Sequence, residues 1–484
     1  MHLRIINLYI YIVVVAFLFF WSVTLNDVND TFKLIDQPLS ALTSLIFNKV
    51  KFSYLIIILL IPIFYNLIKK KNFHLKEIFN NQKYIIFFIL FVFAHYVFIK
   101  FYYNEIFAKT EIVNLIYLSI LSIIYCHYRN FILINFKKII IFYSIILIFY
   151  SIYEGAKIYN FGFYAEFDPV LQFINTGQCN NDLFLIDVIK KYTGISFSNS
   201  IYLENSHLAL MSIPVFFSYI YILTQEKKIN VLFLSLLLIQ IIIVLTNLST
   251  TYFVCYFISQ ITLLFFFLKK INIKFWIFTI LLLLINSYLF LSDNKCTIKV
   301  TEFNVKEVLN KDLETTNNLT TLIYKRSAIL TLNTLKDHSF GWGIDGMDNA
   351  TKNLMSKYDT KLCLVIIGLD EVNICTDEEF EKLKADTNKR THWKLHHLNT
   401  KDGLSNLFKL FTEFGIFAFI IFYYFLRYVL NIKNLSSYNL FIIILFVGMC
   451  IRGVGYFNGG FIFCLLEFFY CKKFFNESEF KKNQ

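Results

Sequence analysis

The chain has 484 residues, of which 57% are hydrophobic, 19% aromatic and 17% charged, with four prolines and a mean hydropathy of +0.57. Soluble domains carry about 25% charged residues, whereas here the charges collect between apolar runs, many of which approach the roughly 20 residues that cross a bilayer. These figures exclude a soluble globular enzyme, a disordered chain and a secreted disulfide scaffold, and they describe an all-α, polytopic transmembrane bundle. The net charge of +12 does not indicate nucleic acid, because Lys and Arg sit in short clusters between hydrophobic segments, as in cytoplasmic loops. The abundance of Ile, Phe, Tyr, Lys and Asn matches a codon bias toward A and T, so part of the aromatic excess needs no functional reason.

In chain order, a first span runs from about Ile5 to Leu25 and is read as retained, since no small-residue cleavage site follows it. Further spans begin near Phe52, Tyr84, Ile112, Ile139, Asn205, Val231, Tyr252, Phe275, Leu404, Tyr438 and Tyr456, about twelve in all. With the N-terminus inside, alternate connections hold Lys69-Lys70-Lys71 with Lys76 and Lys83, Arg129 with Lys137-Lys138, and Lys227-Lys228. The next hold Lys269-Lys270 with Lys274, Arg427 with Lys433, and the tail with Lys472-Lys473 and Lys481-Lys482. Every one is basic, while the opposite short connections, Lys100 to Glu111 and Thr246 to Thr251, are mixed or uncharged. An even span count with both termini cytoplasmic is therefore expected.

This divides the chain into N-terminal helices over 1–153, a first outer loop over 154–204, central helices over 205–292, a large outer loop over 293–403, and C-terminal helices with a cytoplasmic tail over 404–484. Loops longer than about 15 residues are usually functional. Within the second loop, Leu322 to Lys336 reads as an amphipathic helix with Ile329, Leu332 and Leu335 on or near one face. It is expected at the membrane surface, and the turn Gly341-Trp342-Gly343 ends it. Four of the nine cysteines, Cys179, Cys296, Cys363 and Cys375, fall in the outer loops, where oxidation is possible. One or two disulfides, with Cys363–Cys375 the most local, and free thiols both fit. The other five cysteines lie in or beside apolar spans as small buried side chains. No phosphate-binding glycine loop is present, so ATP-driven transport by this chain alone is not expected.

Arg452, in Gly448-Met449-Cys450-Ile451-Arg452-Gly453-Val454-Gly455-Tyr456, is the first candidate for chemistry. It stands at the outer end of a hydrophobic helix, where an ionised group is costly and is usually aimed at a cavity, a counter-charge or a substrate. The neighbouring glycines permit close backbone approach. Snorkelling to the interface is the alternative, but Arg suits bidentate phosphate recognition. Arg326, in Tyr324-Lys325-Arg326-Ser327, lies on the amphipathic helix, where basic residues often meet lipid headgroups. Two arginines on one side of the membrane can clamp a diphosphate.

Glu204-Asn205-Ser206-His207 opens a span with residues that capping alone would select, although Glu204 can also act as a base or bind sugar hydroxyls. His392, His396 and His397 cluster before the tenth span, with Asp402 close behind. The four-residue spacing of His392 and His396 suits a metal, but no accompanying Glu or Cys pattern supports zinc. A histidine serving as general base for a sugar hydroxyl is the more attractive role, against the common case of solvated loop histidines. Asp27 and Asp30 offer oxygen ligands for a divalent ion or simply a solvated loop.

With these pieces placed, the chain resembles the O-antigen polymerase and O-antigen ligase superfamily of bacterial inner-membrane glycosyltransferases, over roughly Tyr192 to Gly460. Thr193-Gly194-Ile195-Ser196-Phe197 followed by Glu204-Asn205-Ser206-His207-Leu208-Ala209 resembles the family's G-x-F and E-x-S-x-x-A opening of a span. Leu245 to Thr251 resembles its short polar outer turn. Arg326 followed by Phe340-Gly341-Trp342-Gly343 resembles its outer-loop arginine, helix and G-x-G, and Leu404 to Gly415, ending Glu413-Phe414-Gly415, its re-entry helix with E-x-G. Arg452 to Phe457 resembles a late element of the polymerase branch.

The ligase branch begins its re-entry helix with a His-Asn pair, and counting back from Glu413 puts Leu404 and Ser405 there, so the polymerase branch is favoured. The resemblance implies a periplasmic-face enzyme that moves a growing glycan from an undecaprenyl-diphosphate carrier onto a second lipid-linked repeat, without metal or nucleotide. The expected partners are those lipid-linked glycans, the bilayer and a chain-length regulator. Arg326, Arg452, Lys325 and Tyr456 would bind substrate, and Asp402, His397 or Glu204 would orient or deprotonate the attacking hydroxyl. The rival readings are a ligase acting on lipid A core, a lipid-linked glycan flippase, and a metal-dependent transferase using Asp27 or Asp30.

Overall fold

The computed structural model describes residues 75–103, 109–160, 205–225, 231–246, 250–292, 319–357, 405–453, 455–456 and 460–470. Every regular element among them is helical. In chain order they are α1 (Leu75–Tyr102), α2 (Lys109–Asn160), α3 (Asn205–Gln225), α4 (Val231–Thr246), α5 (Thr250–Phe267) and α6 (Ile273–Ser292). There follow α7 (Leu319–Asp337), α8 (Met347–Lys357), α9 (Asn406–Phe414), a 3-10 turn (Gly415–Phe417), α10 (Ala418–Asn431), α11 (Ser437–Ile451) and α12 (Phe461–Phe469).

Among the described residues, four stretches are long and apolar enough to cross a membrane: Lys83–Tyr102, Tyr128–Phe149, His207–Gln225 and Asn406–Asn431. Shorter apolar helices accompany them. Their outer faces carry bulky hydrocarbon, such as Phe265 at 81% exposure together with Phe257, Ile277 and Leu284. Helices that are apolar on both faces belong in lipid rather than water. The first two expected spans, from Ile5 and Phe52, lie outside the described residues.

One expectation is corrected. The spans read from about Ile112 and about Ile139, with a basic connection between them, form the single continuous helix α2. At 1.5 Å per residue its 52 residues extend about 78 Å, and the helix is not interrupted at Arg129 or at Lys137-Lys138. The physical reason lies in Arg129, which is buried rather than solvated. Its Nε and Nη2 donate to Glu467 at 2.9 and 2.6 Å, Tyr125 also donates to that carboxylate, and the Tyr470 ring lies 3.9 Å from the guanidinium carbon. A paired, buried arginine does not require a loop.

The described residues fall into two compact units. The first holds α1, α2 as far as Tyr143, Ile420–Lys433 of the α10 region, and α12. Its helices are fastened by the Arg129–Glu467 pair, by Lys100 and Tyr96 bonding Glu111 across the α1–α2 connection at 3.0 and 2.9 Å, and by the Phe88, Tyr424 and Phe469 rings.

The second unit is built on α3, which is buried at every position from His207 to Ile220 and packs on α4, α5, α6 and α11. Its hydroxyls turn inward on the helix itself, Ser212 to Leu208 O and Ser218 to Pro214 O, which satisfies both in the apolar interior. α11 runs antiparallel to α3: Gly448 meets Leu210, while Ser218 and Tyr221 bond the Ser437 and Leu435 carbonyls at the other end.

The expected amphipathic helix is α7. Ser327, Leu330, Thr331 and Thr334 form the buried side, while Leu332 is 67% exposed and Ile329 and Leu335 are half-buried. Small hydroxylated residues let α7 lie close against α9. Thr331 Oγ1 meets Thr412 Oγ1 at 3.0 Å, and Tyr324 packs on Phe408. The helix that hydrophobicity alone would lay flat is thus packed lengthwise on a neighbour, with its aliphatic stripe turned away.

Candidate functional site

The site lies in the second unit, where α7, α9 and the end of α11 meet. α11 is capped by Ser436, whose side chain accepts from Asn439 N, and it runs without a charge to Ile451. It stops at Arg452, which is extended (φ −133, ψ 100) while its N–H still bonds Gly448 O at 2.8 Å. Glycine at 453 is required by space. A Cβ there would lie 2.5 Å from the Met449 carbonyl oxygen and 2.8 Å from the Asn406 amide.

That absence of bulk lets the start of α9 press on the end of α11. Ser405 caps α9 by accepting from Leu407 N at 3.2 Å and donates its own proton to Cys450 O, while Asn406 Nδ2 donates to Gly455 O at 3.3 Å. On the other side Tyr324 of α7 donates to Ile451 O at 2.6 Å. The carbonyls at the end of α11, which have no partners within the helix, are thus satisfied by its neighbours.

Arg452 is only 6% exposed, and its positive charge reaches both the Tyr324 hydroxyl and the Cys255 thiol. Burial pushes the Tyr324 phenol up to about 12, with Arg452 pulling the other way. In so enclosed a setting the low local dielectric strengthens each charge-assisted hydrogen bond that a guanidinium makes.

Beneath this level α9 carries two more charges. Lys409 Nζ stands 3.0 Å from Glu413 Oε1, one turn along the helix, with both side chains buried. At 100° per residue Asn406, Lys409 and Glu413 share one face, the face that Asn406 turns toward Gly453 and Gly455.

A strap closes the far end of α9. After α7, Gly341 (φ 84) and Gly343 (φ 80) bring the chain across Gly415, whose φ of 54 and ψ of −133 suit only glycine. Trp342 N donates to Thr412 O at 3.1 Å, Gly343 N to Glu413 O at 2.8 Å, and Ile416 N to Ser339 O at 2.9 Å. Trp342 is fixed in turn by its Nε1 bond to Thr334 at 3.2 Å and by the His338 ring. The Gly-Trp-Gly and Glu-Phe-Gly patterns, far apart in sequence, are one structural joint.

Of the expected site residues, Arg452 is in this cluster. Lys325 and Arg326 belong to α7, directly after the Tyr324 that holds α7 to the end of α11, and their side chains are outside the described set. Glu204, His397 and Asp402 also lie outside it. Their flanks are described: Asn205 opens α3 at the end that meets Gly448, and Ser405 caps α9. Tyr456 belongs to the first unit, where its ring stacks on Phe461 at 6.1 Å. The zinc reading of His392 and His396, the ion-binding reading of Asp27 and Asp30, and the four outer cysteines fall outside the described residues. No metal-binding group of side chains occurs among those described. Cys126, Cys255, Cys450 and Cys464 are free thiols, the last three of them buried, as expected.

The sequence reading assigned no role to Lys409, Tyr324 or Asn406, and treated Glu413 only as part of a pattern. Two opposite charges four apart within Leu407-Phe408-Lys409-Leu410-Phe411-Thr412-Glu413-Phe414 were the available signal. No protein-family model matches the chain, and no curated protein or solved structure matches it.

Proposed function

We propose that this protein is a membrane glycosyltransferase that polymerises undecaprenyl-diphosphate-linked oligosaccharide repeats at the periplasmic face of a bacterial inner membrane, as its resemblance to the polymerase branch of the O-antigen superfamily implies. The observation that carries the reading is the buried Arg452 at the end of α11, with the helix bearing Lys325 and Arg326 fastened to the adjoining Ile451 carbonyl. The sidedness rests on the basic Arg427–Lys433 connection, which puts the start of α11 inside and Arg452 outside.

In the reaction a sugar hydroxyl of one repeat attacks the anomeric carbon that bears the diphosphate of the other. As that bond breaks, its electron pair goes to the departing phosphate oxygen. Arg452 and Arg326 meet the growing negative charge in a partly dehydrated cleft, where fixed cations are most effective. Asp402, His397 or Glu204 takes the hydroxyl proton.

The test is the surface-glycan ladder of cells carrying Arg452→Ala or Arg326→Ala. Each variant, at normal expression, leaves single repeats and no long chains. Wild-type chain length in both refutes the proposal. Long chains that remain on the lipid carrier identify a ligase, and repeats stranded on the cytoplasmic side identify a flippase.

A further inference from the structure

We infer that Asn406 and Ser327 bind hydroxyls of the sugar that carries the diphosphate, a neutral subsite beside the cation Arg452. This inference rests on the lipid-diphosphate reading proposed above. It begins from two hydrogen-bonding groups that have nothing to bond. On the packed side of α7 the Tyr324 hydroxyl donates to Ile451 O, Thr331 meets Thr412, and Thr334 accepts from the Trp342 indole. The Ser327 hydroxyl lies among them, 0% exposed and without a partner. On α9 the Ser405 hydroxyl is used twice, accepting from Leu407 N and donating to Cys450 O. Asn406 uses half of its amide: Nδ2 donates to Gly455 O at 3.3 Å, while Oδ1 has no partner although the residue is 0% exposed. A buried polar group left unbonded is costly, and folded proteins keep few of them.

Both groups belong to helices fastened at the end of α11. Positions 324, 327 and 331 form one stripe of α7. Tyr324 packs on Phe408 and reaches Ile451 O, and Thr331 lies 3.4 Å from Phe408 O. Ser327, between them, is therefore level with the first turn of α9. Asn406 opens that turn, and its amide lies 2.8 Å from where a Cβ on Gly453 would stand, one residue after Arg452. The chemistry of the two groups sets the ligand. An amide oxygen only accepts, so Oδ1 gains nothing from a diphosphate and requires an O–H or N–H donor. Ser327 both donates and accepts. Neighbouring hydroxyls on a sugar ring do the same, and with the diphosphate at Arg452 the sugar bonded to it comes nearest to Asn406. Sites built to bond a hydroxyl discriminate against ligands that lack it, because their buried groups then stay unpaired.

The experiment uses full-length protein in nanodiscs that hold either undecaprenyl diphosphate or the same lipid bearing one repeat, isolated from Arg452→Ala cells. Occupancy is read by native mass spectrometry, and stability by thermal unfolding. The wild type prefers the repeat-bearing lipid. Ser327→Ala removes a hydroxyl that bonds nothing in the protein, so its thermal midpoint is no lower than that of the wild type. Its preference for the sugar falls by about two- to tenfold, the worth of one hydrogen bond. Asn406→Leu loses at least as much of the preference and still binds undecaprenyl diphosphate as the wild type does, whereas Arg452→Ala weakens both lipids. Ser212→Ala, whose hydroxyl bonds its own helix, changes neither affinity. A merely structural role would lower both affinities along with the midpoint.

Folded Ser327→Ala and Asn406→Leu proteins that keep the full preference overturn the inference, and water then satisfies the two groups. So does a wild type that joins repeats yet holds the two lipids equally; in both cases the polymerase reading stands. If the wild type binds with a preference that the variants lose but joins no repeats, the polymerase reading fails and the sugar site stands. If Arg452→Ala cells accumulate no such repeat, or the wild type binds neither lipid, both fail together.

Discussion

Alanine at Gly415 tests the joint between the strap and α9 without reference to any substrate. The substitution meets two obstacles. The backbone there has positive φ, costing an L-residue about 1–2 kcal/mol. A Cβ would also lie 2.5 Å from Gly341 N and 2.6 Å from the Phe340 carbonyl carbon, so the strap must lift. Lifting it gives up the three backbone hydrogen bonds made by Trp342, Gly343 and Ile416, at about 1 kcal/mol each. The sum is about 4–5 kcal/mol, large for one methyl group. At roughly 2–4 °C per kcal/mol for units of this size, the thermal midpoint of the detergent-solubilised protein falls by about 8–20 °C. Trp342 reports the same event, because release from Thr334 and His338 exposes its indole and shifts its emission to the red. Gly341→Ala behaves alike, since its Cβ would lie 2.6 Å from the Glu413 carbonyl carbon. An unchanged midpoint with unshifted emission in Gly415→Ala refutes the joint.

Three further outcomes are expected. Arg129→Ala leaves Glu467 buried without its cation and costs about 3–5 kcal/mol, while Arg129→Met/Glu467→Leu recovers most of it; thermal unfolding of the two proteins decides. Gly448→Ala drives a methyl to 2.6 Å from Leu210 Cδ1, and because that obstacle is the tip of a side chain, Gly448→Ala and Leu210→Ala together cost about 1 kcal/mol less than the sum of the singles, measured by a double-mutant cycle. Tyr324 has its folded-state phenol raised to about 12 from an ordinary 10.0. Its stabilising contribution is therefore complete below pH 10 and is lost as pH climbs toward 12. Tyr324→Phe removes that alkaline component, and a matching alkaline loss in the two proteins would contradict it.

Apolar runs made the membrane helices legible, since α3, α4, α5, α6 and α11 begin within a few residues of the expected starts. Glycine placement made the joint legible in part: Gly341, Gly343 and Gly415 were singled out, and each has positive φ. What local pattern cannot carry is partnership. Arg129 looked like a loop marker because its counter-charge, Glu467, lies 338 residues away. The α7 stripe of Ile329, Leu332 and Leu335 pointed to a lipid-facing surface, while the buried side is Ser327, Leu330, Thr331 and Thr334, whose contacts with Thr412 and Trp342 no local pattern announces. Arg452 stood out by its cost, whereas Lys409 and Glu413 resembled an ordinary surface pair until their burial was known.

The strap also bears on the order in which this chain is assembled. The carbonyl oxygens of Thr412 and Glu413 face a helix break at Gly415 and accept hydrogen bonds from the Trp342 and Gly343 N–H groups, about seventy residues nearer the ribosome's starting point. Hydrocarbon provides no substitute donor, so α9 and α10 cannot settle in the bilayer as a finished pair before that turn is delivered to them. That turn is accordingly part of what completes the end of α9, and removing residues 341–343 would be felt first as failed integration of that helix.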